Sequence, residues 1–262
     1  MLNMKLFRLA LQLRKISVLQ TLRANFGLLP RKQALKFPII VFRGSTLRIG
    51  KNARVIFDCA PKTGLLWIGA FDFNWIPRGA RNFISLDGTI HVSGKVRFSY
   101  HTHMIIGKDA LLTLGGENYI NHDTRLLVHQ NVELCFGARV GWNVQICDTA
   151  FHYVRIGSDV SRKTKPVKIG RESWVSSFCN IGRGAYLPDY SVLATCSLLN
   201  KDYSTVGTNL LIAGIPAKIV KTGVRRVMES VEPELCGRID SYFDKNPSAN
   251  TLDITDLGYE NR

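Results

Sequence analysis

From Ile169 onward every sixth residue is aliphatic: Ile169, Val175, Ile181, Leu187, Leu193 and Leu199. Ile, Leu and Val make up roughly a quarter of an ordinary chain, so six in register arise by chance about once in a few thousand trials. Neither the α-helical turn nor the alternation of a single strand has this period. Short strands that each turn one aliphatic inward, joined by tight corners, do have it. Three such strands close one triangular coil, and coils stack through backbone hydrogen bonds. Two positions before these aliphatics stand small residues, at Ser173, Cys179, Ala185, Ser191 and Ser197. Period-two alternation turns them inward as well, near a crowded corner. Leu134, Val140 and Ile146 repeat the step earlier, with Ala138 small. The expected fold is all-β, a parallel β-helix.

The step of six recurs more loosely upstream, at Ile49 and Val55, at Ile84, Ile90 and Val96, and at Ile106 and Leu112. Insertions such as Pro61 to Gly64 and Trp75 to Asn82 read as loops protruding from imperfect coils. Between Ile146 and Ile169 the spacing breaks the period, so an excursion leaves the helix over Ala150 to Pro166. It carries His152 and the basic residues Arg162, Lys163 and Lys165. After Ile219 the pattern stops. Val224 to Leu235 reads as a short capping helix, since an open coil presents unpaired strand edges, and Asn246 to Arg262 as a polar, mobile tail. At the other end, Leu2, Leu6, Leu9, Leu13, Ile16 and Leu19 recur at three- and four-residue steps, which predicts an amphipathic helix over Leu2 to Leu22. Pro30 ends it or marks the turn after it. Three regions follow: a basic helical segment over 1–45, the β-helix over 46–221, and a cap and tail over 222–262.

The chain of 262 residues has 35 Lys and Arg against 20 Asp and Glu, a net charge of +15. Residues 1–57 hold twelve of the cations, from Lys5 to Arg54, and no acidic residue. The basic character therefore belongs to the N-terminal segment, which suits an anionic surface such as lipid headgroups or lipid-linked phosphates. The alternative is a helix that packs its stripe on the body and turns its cations to water. No nucleic-acid motif or interleaved aromatic platform accompanies the block, so nucleic acid is not an expected partner. Without a signal peptide or an apolar run of membrane-spanning length, the expected location is the cytoplasm, with peripheral attachment to the inner face of the membrane open. The six cysteines show no CxxC pair or metal spacing and read as buried, reduced thiols.

The stretch Pro166 to Val175 (PVKIGRESWV), then Ile181-Gly182, Val192 to Asp202 (VLATCSLLNKD) and Ala213 to Lys218 (AGIPAK) resembles the hexapeptide-repeat acyltransferases. Asp148 to Tyr153 (DTAFHY) and Leu198 to Tyr203 (LLNKDY) are most similar to the branch that O-acetylates polysaccharides. The resemblance covers roughly residues 134–221. It implies a left-handed β-helix, a homotrimer with sites between subunits, and direct transfer from acetyl-CoA to a saccharide or lipid-linked saccharide hydroxyl.

Direct transfer needs a general base rather than a Ser or Cys nucleophile, because the thioester is already activated. His152 stands where the family has its catalytic histidine, with Asp148 or a backbone carbonyl to orient the imidazole and Asn143 close to the acceptor. His122 and His129 are rival bases. The amides of Ser176 and Ser177, where the family often has glycine, would hold the oxyanion. Trp174 and Ala194 would line the CoA groove, and Lys201, Lys218 and Lys221 would meet its nucleotide end. No metal is expected: His101 and His103 alternate on a strand, and two ligands are not a site. Two other readings remain open, an N-acyltransferase acting on an amino-sugar nucleotide and a non-catalytic β-helix scaffold recruited to membranes.

Overall fold

Alternation along each short strand sends one side chain into its coil and the next out of it. Stacking then lines the inward side chains up in columns. The structure, a computed structural model, describes residues 15–70, 81–229 and 231–259. Among these, the parallel strands form three sheets that share one core. Coil one is Ile39–Val41, Ser45–Ile49 and Arg54–Phe57; coil two is Leu66–Ala70, Asn82–Leu86 and Thr89–Val92. Coil three is Val96–Ser99, His103–Ile106 and Leu111–Leu114; coil four is Asn118–Ile120, Arg125–Val128 and Asn131–Leu134. Coil five is Arg139–Val140, Gln145–Cys147 and Val167–Ile169; coil six is Trp174–Val175, Asn180–Ile181 and Tyr186–Leu187. Val192–Leu193 and Leu198–Leu199 begin coil seven. The first, second and third strands of successive coils build the first, second and third sheets.

The expected parallel β-helix is the fold observed, and the six-residue register marks its core. In the first sheet Val140, Val175 and Leu193 stack on one another. Ile146, Ile181 and Leu199 do so in the second, and Leu134, Ile169 and Leu187 in the third. All nine are buried, as are Ser173, Cys179, Ala185, Ser191 and Ser197 beside the corners. The looser upstream positions Ile84, Ile90, Val96, Ile106 and Leu112 are buried too. Only Ile84 shares a column with the nine, through Met104 and Leu126 to Ile146. Ile90 and Leu112 stack on Val132 and Val167 instead, because the early coils differ in length. Each such side chain stabilises the fold by about 1.5–3 kcal/mol relative to exposure.

The N-terminal end departs from expectation. Lys15 to Ser17 is extended and pairs with Val41 to Arg43: Ser17 N donates to Val41 O at 2.8 Å and Arg43 N to Lys15 O at 2.7 Å. Helix α1 is Val18–Leu28, so the expected helix to Leu22 does not run through residues 15–17; its part before residue 15 lies outside the described residues. Ile16 bridges Phe42 rather than joining a helical stripe, and Leu19 faces outward. The face of α1 that packs on coil one is instead Thr21, Ala24, Asn25 and Leu28. Pro30 does mark the turn, opening the short α2, Arg31–Ala34. The first strand, Ile39–Val41, lies ahead of the boundary expected at residue 46; its run of β-branched residues favours a strand.

At the other end the first sheet closes with a hairpin, Leu210–Gly214 against Ala217–Thr222. Val224 to Met228 is not the expected helix; α3 is Pro233–Lys245, with Pro233 in its first turn, where a missing N–H costs nothing. It belongs to a separate unit, Arg226–Arg262, whose expected tail contains a 3-10 turn at Ile254–Leu257. The cysteines are unpaired, but only Cys147 and Cys179 are buried and Cys196 is exposed, because its corner turns it outward. Burial pushes the Cys135 thiol up to about 12.

Candidate active site

The corners between the first and second sheets repeat one backbone conformation. His101, Asp123, Asn143, Phe178 and Cys196 all have φ between 53° and 60°. None is glycine, so each carries a strain of about 1–2 kcal/mol, offset by coil stacking. These corners bring the candidates into one row along an edge of the prism: His122 in coil four, Asn143 in coil five, Ser176 and Ser177 in coil six, Ala194 in coil seven. Trp174, half-exposed, precedes that edge on the first sheet, and Lys218 and Lys221 stand exposed on the hairpin that ends the same sheet.

The two nominated amides differ. Ser176 N is already committed, donating to Leu193 O at 2.9 Å in the ladder, so burial in the stack removes it as an oxyanion donor. The Ser177 amide donates no hydrogen bond among the described residues. Gly141 below it is required by close approach, since a Cβ there would stand 2.8 Å from Ser177 N. Ala194 N is likewise taken, by Ile212 O at 2.9 Å. Asn143 is exposed beside them, its amide donating to His122 O at 3.1 Å.

His152 lies on another edge. The expected excursion leaves between the second and third sheets of coil five as a hairpin, Val154–Ile156 against Asp159–Ser161. Its base is clamped by Ala150 N to Lys163 O, 2.8 Å, and Lys165 N to Asp148 O, 3.0 Å. His152 is exposed on this loop, next to Phe151, whose ring meets His129 edge-on at 5.3 Å. Lys201 follows the second sheet on the same edge.

Asp148 is fully buried and turns away from His152. One carboxylate oxygen accepts His129 N at 2.8 Å, the other Gln130 N and Asn131 N at 2.7 and 2.8 Å. It pins the corner of the preceding coil rather than an imidazole. Within one chain, the His152 edge and the Ser177 edge are thus different corners of the prism.

A second carboxylate–imidazole group was not legible as a unit. Asp123 holds His122 Nδ1 at 2.6 Å and also bonds His101 Nδ1. The His122 ring is buried and stacked between Tyr100, 4.9 Å away, and Trp142, 5.8 Å away. Burial works to raise the Asp123 pKa, but hydrogen bonds and charge from both imidazoles outweigh it and hold the carboxyl below its usual range. Next to it, burial and the charges of His101 and Arg125 push the His103 pKa down. The adjacent pair His122-Asp123 was the only sequence signal; what joins them to His101 is coil stacking. Among the described residues no three side chains converge on a metal position, and no helix is long and apolar enough to cross a membrane.

No family model matches the chain. A Klebsiella pneumoniae protein described as an uncharacterized 24.8 kDa protein in the cps region is 26% identical over 200 residues, 76% of this chain and 83% of that one. The crystal structure of the polySia specific acetyltransferase NeuO superposes with a TM-score of 0.55, at 15% identity over 82% of this chain and 89% of that one. AntD, an N-acyltransferase from Bacillus cereus solved with dTDP and Coenzyme A, gives 0.41 at 13% identity over 78% and 89%. At such identity the likeness to NeuO is one of fold: a left-handed parallel β-helix built on six-residue repeats.

Proposed function

We propose that the protein is an acetyl-CoA-dependent O-acetyltransferase acting on a saccharide hydroxyl in the assembly of surface polysaccharide or glycolipid. The observation that carries this reading is the exposed His152 on the hairpin excursion of a hexapeptide coil whose neighbouring edge offers the uncommitted Ser177 amide. His152 takes the proton of the acceptor hydroxyl, and that oxygen attacks the thioester carbonyl. Ser177 N–H steadies the oxyanion, which collapses with loss of the CoA thiolate. Trp174 lines the groove, and Lys218 and Lys221 meet the anionic end of CoA. The relative from a cps region and the fold of a polysialic acid acetyltransferase support the polysaccharide setting.

Because His152 and Ser177 occupy different edges of one prism, a complete site needs a second copy of the chain, and three copies around an axis close the set. The enzyme so assembled works in the cytoplasm. A second reading puts the base at His122, on the observation that Asp123 holds its Nδ1 and so fixes the tautomer.

CoA release from acetyl-CoA, measured against free sugars, amino-sugar nucleotides and lipid-linked saccharides, tests the function. His152→Ala should cut turnover by about 10²–10⁴-fold with the fold intact. If His122→Ala gives that loss instead, the base moves to the buried pair. Release only with amino-sugar nucleotides would replace O- by N-transfer, and none with any acceptor would sink the enzyme reading.

A further inference from the structure

Helix α1 closes coil one with Thr21, Ala24, Asn25 and Leu28, so among the described residues its outer face lies at the N-terminal end of the β-helix. That face is apolar. Val18 and Leu19 are 69% and 67% exposed, Phe26 47%, and Leu22 is exposed between them. At 100° per residue these four fall within one arc of about 100°, whose centre lies about 120° around the helix from that of the buried stripe. Leu35, just past α2, is 67% exposed as well.

Cations surround it. Arg23 lies about 40° beyond Leu19 on the helix, and Arg31, Lys32, Lys36 and Arg43 are exposed on the adjoining segments. Among the described residues no carboxylate pairs with any of these five. No acidic residue occurs anywhere in residues 1–57. A protein partner would have to supply both an apolar groove and excess anions; an anionic bilayer supplies both over any area.

We propose that the outer face of α1, with Leu35 and the surrounding Arg23, Arg31, Lys32, Lys36 and Arg43, docks this end of the β-helix on an anionic lipid surface. The apolar arc enters the headgroup boundary and the cations meet lipid phosphates. Coil five, whose excursion carries His152, then stands four coil spacings, about 20 Å, from coil one. Resting on the acetyltransferase reading, that spacing points to an acceptor whose modified hydroxyl is carried on a lipid but held well away from the headgroup. The docking itself does not depend on that reading.

The full-length protein is sedimented with vesicles of phosphatidylcholine alone and with about 30% phosphatidylglycerol, at low and high salt. Binding should favour the anionic vesicles and weaken at high salt, as screening shortens to a few ångströms. Val18→Glu with Leu19→Glu, and separately Arg31→Ser with Lys32→Ser and Lys36→Ser, should each lower partitioning at least tenfold. Melting, oligomeric mass and CoA release with a soluble acceptor should stay unchanged. Equal binding to both vesicles, or none, overturns the proposal. So does a Glu variant that changes oligomeric mass, which would mean a second copy covers the face, or one that lowers the melting temperature, which would mean residues 1–14 cover it. Vesicle binding without any CoA release would leave docking standing and remove the enzyme.

Discussion

Asn25 and Ile39 exchange two hydrogen bonds: Asn25 Nδ2 donates to the Ile39 carbonyl at 2.7 Å, and the Ile39 amide donates to Asn25 Oδ1 at 3.2 Å. Thr21 does the same for Val41, giving and accepting at 3.3 and 3.1 Å. Among the described residues Ile39–Val41 is the outermost strand of the first sheet, with no coil beyond it. Two buried polar side chains of α1, with the backbone bonds of Lys15 and Ser17 to Arg43 and Val41, therefore cover this strand, which would otherwise leave an edge open to pairing with another chain.

Asn25→Leu should cost about 2–4 kcal/mol, because the Ile39 amide and carbonyl would be buried without partners. Urea unfolding measures it. A midpoint that does not move would mean that the edge is satisfied without the side chain.

Asp148→Asn should destabilise the protein by about 2–4 kcal/mol, since its NH₂ would face backbone amides that now donate to a carboxylate. Turnover per folded molecule should change less than tenfold. A hundredfold loss of turnover at unchanged stability would return Asp148 to the chemistry and set aside the structural duty its three hydrogen bonds suggest.

Much of the fold was legible because each coil imposes the same steric selection. An aliphatic must fill the middle of a short strand and a small residue the approach to the corner, so Ile169 to Leu199 announce themselves. The N-terminal cap was not legible, because its specificity lies in Asn25 and Thr21, which a hydrophobic pattern discards. The apolar positions it does use, Ile16 and Leu19, face elsewhere than a single helix would put them. Of the site, the His152 excursion could be found from a broken period, 23 residues between Ile146 and Ile169. Neither the commitment of the Ser176 amide nor the meeting of His101 with Asp123 could be found so. The first depends on which backbone amides the ladder takes up, which a side-chain pattern does not mark. The second depends on which coil lies above which, and the unequal lengths of the early coils hide that spacing.

Asp123 makes a pH prediction. Its folded pKa is depressed, so it contributes stability that is fully present above the unfolded value of about 3.9 and is lost as pH falls through the lower, folded value. Asp123→Asn should therefore be less stable than the parent at pH 7, by about 1–3 kcal/mol. The gap should narrow as pH falls below about 4, where the parent carboxylate begins to protonate. Urea unfolding of both proteins from pH 7 to pH 3 checks this. A gap that stays constant or widens in acid would show that the carboxylate is not what the imidazoles recognise.

The separation of His152 from Trp174 and Ser177 on two edges makes assembly testable without a structure of the assembly. If each site takes the histidine edge of one copy and the groove edge of the next, His152→Ala and Trp174→Asp disable different halves of it. Each variant alone should lose about 10²-fold or more of its turnover. Unfolded together in equal amounts and refolded, the two chains should assort at random. A site is then intact when the copy supplying the histidine carries only the Trp174 change and its neighbour only the His152 change. Random assortment meets both conditions in about a quarter of sites, so about a quarter of the parent activity should return. Light scattering on the same sample should give three times the chain mass of 29.4 kDa. If each variant is inactive alone and the mixture shows only the sum of the two residual activities, every site is built within one chain. The distance between the two edges would then count against the assignment of His152, and the base would have to be sought on the Ser177 edge, where Asp123 already holds His122.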